Sequence, residues 1–138
     1  MPPSACAESA ADAQQQPLIL VVDDQLSLRG LIRVNLELEG FAVVEAVDGV
    51  DCLEQARRRR PDLITMDIVM PRLDGLATAA ELRADPALCD VPIVMVTTSG
   101  QPQDLQRARA AGVEAYLTKP YDPDELVETV QRLLVSPH

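Results

Sequence analysis

Apolar runs of strand length alternate along the chain with stretches whose hydrophobic positions recur at helical spacing. The predicted strands are Leu18 to Val22, Phe41 to Glu45, Leu63 to Met66, Pro92 to Val96 and Ala115 to Thr118. Between the first two, Leu28, Leu31, Ile32 and Leu36 form a helical face, and Gly40 supplies a stop. A second helix opens after Asp48 as N-cap and runs to Arg57-Arg58-Arg59-Arg60, before Pro61. The third spans Leu73 to about Ala84, and the fourth runs from Asp104 to Ala111, closed by Gly112. The last begins at Asp122-Pro123-Asp124-Glu125, which resembles a capping box with Asp122 at N-cap, Pro123 at N1 and Glu125 at N3. Its inner face is Leu126, Val130, Leu133 and Leu134.

Such alternation predicts an α/β fold, a doubly wound parallel sheet with helices on both faces and right-handed crossovers. The aliphatic runs Leu18–Val22 and Ile93–Val96 suit strands buried on both sides. No repeat, linker or second domain is legible. The expected organisation is a flexible extension over residues 1–16, then one domain over 17–138, with no C-terminal effector domain. The extension is dominated by Ala, Ser, Gln and Pro and buries too little to offset its ordering entropy.

Composition narrows the setting. The 138 residues carry a net charge of −10, which argues against nucleic acid as partner, because that binding rests on Lys and Arg neutralising phosphates. Aromatic residues make up 2%, so aliphatic side chains must fill the core. Cys6, Cys52 and Cys89 have no metal-ligand spacing and read as reduced thiols, two in or near the core and one in the tail. The start lacks a signal peptide, and no apolar run approaches the roughly 20 residues that span a bilayer. A cytoplasmic chain without membrane insertion is expected. The four-Arg run reads as a solvated helix end in a favourable dipole field, and His138 as non-catalytic.

Chemistry collects at strand ends. Asp23-Asp24 closes the first run, Asp67 the third, and Lys119-Pro120 follows the fifth. Carboxyl ends of parallel strands are where such sheets place their sites. Two carboxylates ~4 Å apart repel by roughly 4 kcal/mol at an effective dielectric of about 20. A cation between them, or a proton on one, relieves this. Oxygen ligands suit Mg²⁺. Three carboxylates and a lysine therefore suggest a metal-assisted phosphoryl-acceptor site. Taken singly, each residue has an ordinary reading: a turn or cap for the Asp residues and Thr97, a solvated lysine, a packed Tyr116.

The whole set, in order, resembles a response-regulator receiver domain: Asp23-Asp24, Asp67 with Met70-Pro71 and Asp74-Gly75 behind it, Thr97, and Lys119-Pro120. The resemblance covers about Leu18 to Val135. It implies the flavodoxin-like strand order 2-1-3-4-5, which sets strands one and three side by side. It implies Mg²⁺ held by Asp24 and Asp67 directly, by Asp23 directly or through water, and by the main-chain carbonyl of Val69. Asp67 would be the phosphoacceptor, with Lys119 pairing it or a phosphoryl oxygen and Thr97 bonding another. Thr97 and Tyr116 would form the switch, and Pro120 would follow a cis peptide. The implied phosphodonor is a histidine kinase or histidine phosphotransfer protein, and the implied output is an unknown downstream protein reading helix four, strand five and helix five. Such a protein is not an enzyme with turnover; it catalyses its own phosphorylation and dephosphorylation.

Val69 and Ser99 depart from members that carry Asn and Glu there, and are expected to tune phosphoryl lifetime. Val69 also stands where a haloacid-dehalogenase-type phosphatase keeps its acid, which speaks against turnover of external phosphoesters. A flavodoxin-like carrier would need phosphate-binding donors where Asp23-Asp24 stands. A phosphate sink without output partner shares the same chemistry. The reading that results is a stand-alone response regulator of a two-component phosphorelay.

Overall fold

The computed structural model describes residues 16–68, 70, 73–98, 101–119 and 121–135. Val69, Pro71, Arg72, Ser99, Gly100 and Pro120 lie outside them, as do residues 1–15 and 136–138. The main-chain metal ligand, the lifetime pair, the cis peptide, Cys6, His138 and nearly all of the extension are therefore not described.

The elements are β1 (Leu18–Val22), α1 (Leu26–Leu38), β2 (Ala42–Ala46), α2 (Gly49–Arg58), β3 (Leu63–Met66), α3 (Gly75–Ala84), β4 (Ile93–Thr97), α4 (Pro102–Ala110), β5 (Ala115–Thr118) and α5 (Pro123–Val135). The strands form one parallel sheet in the order β2-β1-β3-β4-β5, as the resemblance implied. Alternation along each strand feeds two cores. Leu20, Val22, Ile64, Met66, Ile93 and Met95 pack under α2, α3 and α4. Ile19, Val21, Leu63, Val94, Val96 and Leu117 pack under α1 and α5.

Helix ends follow from local chemistry. Asp48 caps α2 by accepting from the Asp51 amide, and Asp74 caps α3 by accepting from Ala77. That second cap starts α3 at Gly75 rather than Leu73. Pro102 at N1 starts α4 two residues earlier than expected. At α5, Asp122 accepts from the Asp124 amide at N2, an ordinary N-cap bond rather than the N3 bonds of the expected capping box. Gly40 and Gly112 have φ of 95° and 85° and end α1 and α4 in Schellman turns. In the first, Gly40 N–H donates to Glu37 and Phe41 N–H to Leu36. Because its amide is spent there, Phe41 does not open β2; Ala42, donating to Pro17, does.

Two expectations about burial need correction. The inner face of α1 is Arg29, Ile32 and Leu36, whereas Leu31 is 51% exposed. Arg29 turns inward to the buried Asp23 carbonyl and the partly buried Glu45, and Leu31, about 200° further round the helix, faces out. Cys52 is buried but Cys89 is exposed, in the segment after α3. In the four-Arg run, Arg57 and Arg60 pair with Asp85 and Asp90 of that same segment at 3.2 and 2.6 Å.

Candidate phosphoacceptor and metal site

Strand pairing assembles the acidic cluster. Val22 of β1 registers with Met66 of β3, so the residues that follow them are neighbours. One further bond prolongs each ladder: Asp67 N–H donates to Val22 and Asp23 N–H to Ala46. Asp23, Asp24 and Asp67 thereby offer oxygens that all lie within 4.8 Å of one another. Asp23 and Asp67 are buried, at 1% and 8% exposure, while Asp24 is open to solvent.

Lys119 arrives from two strands away. Its N–H donates to the Thr97 carbonyl at 2.7 Å, carrying the β4–β5 ladder past the end of β5. Its Nζ then reaches Asp23 Oδ2 at 3.0 Å and Asp67 Oδ2 at 3.1 Å. Burial alone would pull the ammonium pKa down; the bonds and charges of Asp23 and Asp67 outweigh burial and leave it raised.

The four side chains carry three anions and one cation, so Lys119 only partly offsets the repulsion. An all-oxygen donor set with an uncompensated charge fits a hard divalent cation such as Mg²⁺.

Gly75 lets α3 begin directly against the site. A Cβ there would overlap the Asp67 carbonyl oxygen, and the Gly75 N–H donates to the Ile68 carbonyl at 2.8 Å. No other residue type fits this approach without moving the backbone that carries Asp67.

Thr97 occupies the last position of β4 rather than the loop after it, and is fully buried. It shares a sheet face with Met95, whose register partner on β5 is Tyr116. Tyr116 is half-buried and packs against the core under α2, α3 and α4. The two expected switch residues therefore stand on one face, on neighbouring strands.

Two residues near the site were missed by sequence reasoning. Tyr121 follows Lys119-Pro120, and its buried hydroxyl has no hydrogen-bond partner among the described residues. Burial raises its pKa, while Lys119 pulls it down and Asp23 pushes it up, so it shares the field of the site. Arg29 donates to the Asp23 carbonyl at 2.9 Å. Its signal was a charged residue three positions before Ile32 and seven before Leu36, on a face that is otherwise apolar.

A parallel five-stranded sheet with this acidic cluster and lysine at its carboxyl end is a doubly wound α/β domain with a candidate cation site. The chain belongs to the response regulator receiver domain family, whose profile matches residues 19–131. It is 39% identical over 118 residues to the DNA-binding dual master transcriptional regulator RpaA of a Synechocystis species, an alignment covering 86% of this chain and 49% of that protein. It thus spans about half the length of the curated relatives it matches. Among solved structures it is similar to the Vibrio cholerae chemotaxis protein CheY4, with TM-score 0.82 and 34% identity over 86% of this chain and 99% of that one. The receiver domain of a Pseudomonas aeruginosa sensor histidine kinase matches with TM-score 0.82 and 33% identity, covering 88% and 99%; that structure has a magnesium ion coordinated in its active-site cleft. No helix among the described residues is long and apolar enough to cross a membrane.

Proposed function

We propose that the chain accepts a phosphoryl group on Asp67 from a phosphohistidine of a histidine kinase or phosphotransfer protein. The carrying observation is the contact of Lys119 with Asp67 and Asp23, two of three converging carboxylates. In the transfer, an Asp67 carboxylate oxygen forms the new O–P bond. The P–N bond of the donor breaks, and its electron pair stays on the imidazole nitrogen. Lys119, already on Asp67 Oδ2, moves to a phosphoryl oxygen, and the Thr97 hydroxyl takes another. Asp23, Asp24 and Asp67 would hold Mg²⁺, which when bound neutralises charge on the transferring group. The protein supplies positioning and a polar, partly buried site, with no turnover of an external substrate.

The output is a change in the surface formed by α4, β5 and α5. The new acceptor oxygens give Thr97 and Lys119 partners that exist only in the modified state, and such differential contact shifts a population. Tyr116, on the same sheet face as Thr97, would follow. A groove of about 470 Å³ beside it, with Ala108 and Arg109 of α4 and Glu125 and Thr129 of α5 in its walls, is the surface a protein partner would read. Gln103, Gln106, Arg107 and Ala110 are exposed on α4 next to it. DNA binding belongs by name to a relative about twice as long; a net charge of −10 supports a protein partner for this region.

The test is intact mass after incubation with a small phosphodonor. Wild type should gain one hydroxylamine-labile phosphate only with Mg²⁺ present, and Asp67→Asn none. Labelling of the Asn variant at the normal rate would refute the assignment. Hydrogen exchange with beryllofluoride should then change over residues 105–111 and 116–119. Change confined to the loops around Asp67 would favour a phosphate sink.

A further inference from the structure

We infer that Arg29 is a positioning residue for the cation site: by holding the Asp23 carbonyl it fixes the peptide between Asp23 and Asp24, and so lets two consecutive carboxylates face one point. The inference rests on the Mg²⁺ reading of the acidic cluster.

Consecutive residues of an extended strand point to opposite faces. Asp23 and Asp24 nevertheless bring oxygens within 4.8 Å of each other and of Asp67. The chain must therefore turn at the peptide joining them. Three bonds define that turn. Asp23 Oδ1 accepts from Gln25 N–H at 2.9 Å, and Gln25 carbonyl accepts from Arg29 N–H at 3.0 Å, the first bond of α1. The third is the guanidinium NH1 of Arg29 donating to the Asp23 carbonyl at 2.9 Å, in a buried setting. Among these, only the Arg29 side chain grips the plane of the Asp23–Asp24 peptide itself.

Arg29 is held in its turn. Its Nε donates to Glu45 Oε1 at 2.6 Å, and Arg33 NH1 takes Glu45 Oε2 at 2.7 Å. Hydrogen bonds from Arg33 and then Arg29 lower the Glu45 pKa, so it stays anionic as their common anchor. The network ties β2 to α1 and ends on a main-chain atom of the metal site. A buried cation beside a divalent-ion site is costly if charge is its only contribution, since it repels the ion. Geometry and charge therefore predict opposite signs on its removal.

Mg²⁺ affinity of the whole chain by titration calorimetry reads that sign. Arg29→Met keeps the apolar stem and removes every donor; Arg29→Met with Glu45→Gln also removes the anion left behind. Both are expected to weaken Mg²⁺ about tenfold, as loss of an outer-shell contact does elsewhere. Arg33→Ala, which disturbs the same network without touching Asp23, should stay within about twofold of wild type by the same reasoning. Amide exchange gives a readout without metal. Gln25 N–H should exchange faster in both Arg29 variants, while Leu20 and Ile64 inside the sheet keep their wild-type rates. Unchanged or tighter Mg²⁺ binding in the folded variants overturns the inference. So does equal weakening by Arg33→Ala, or faster exchange of Leu20 and Ile64 alongside Gln25. If wild type itself binds no Mg²⁺, the reading of the cluster fails first and the inference falls with it.

Discussion

Replacing Asp24 with Asn should stabilise the metal-free protein and remove its response to Mg²⁺. Asp24 is the exposed member of three carboxylates whose oxygens lie within 4.8 Å. Unit charges near that separation repel by about 1 kcal/mol in bulk water and about 4 kcal/mol at an effective dielectric of 20. Exposure selects the smaller figure, so two repulsions sum to about 2 kcal/mol. Attraction to Lys119, which already bonds Asp23 and Asp67, returns part of that, leaving a net gain of about 1 kcal/mol. For a domain of this size that is a rise of about 3–4 °C in Tm. Mg²⁺ at 100 times its Kd would stabilise wild type by about 2.7 kcal/mol, and the variant far less. The order of the two melting temperatures should therefore reverse between EDTA and saturating Mg²⁺, which thermal unfolding followed by circular dichroism measures directly. A variant that melts below wild type in EDTA, or that rises equally with Mg²⁺, would refute the electrostatic argument.

Gly75→Ala puts a methyl group against the Asp67 carbonyl and should cost about 1–3 kcal/mol, read as a lower urea midpoint, with slower phosphorylation because Asp67 must shift. The raised Lys119 pKa makes its stabilisation complete below the ordinary value of 10.5 and lost as pH rises through the higher folded value. Urea midpoints between about pH 9 and 12 should show this loss in wild type, beginning near the ordinary value, and a flatter profile in Lys119→Met. Burial pushes the Cys52 thiol up to about 12, so Cys52→Ser should leave the number of fast-reacting thiols unchanged, while Cys89→Ser lowers it, as a chromogenic disulfide reagent would count.

Much of this protein was legible along the chain because the signals are local. A two-residue period marks a strand, a carboxylate before a helix marks its start, and a glycine marks its end. These placed β1, β3 and β5 on their observed residues, put Asp48 at its cap and stopped two helices at Gly40 and Gly112. The strand-end residues Asp23, Asp24, Asp67, Thr97 and Lys119 were visible as a set, and likeness to a family, not periodicity, supplied the strand order. Tertiary structure decided what depends on partners distant in sequence. Arg29 faces inward and Leu31 outward because Glu45 and the Asp23 carbonyl wait beneath α1, a contact no helical pattern encodes. Gly75 is required because Asp67 lies against it, and Lys119 meets Asp23 across 96 positions of chain because the parallel sheet sets the ends of β1 and β5 at one edge. Propensity and capping act within a turn or two of helix, whereas burial of a charge or contact between backbones is set by whatever the fold brings alongside.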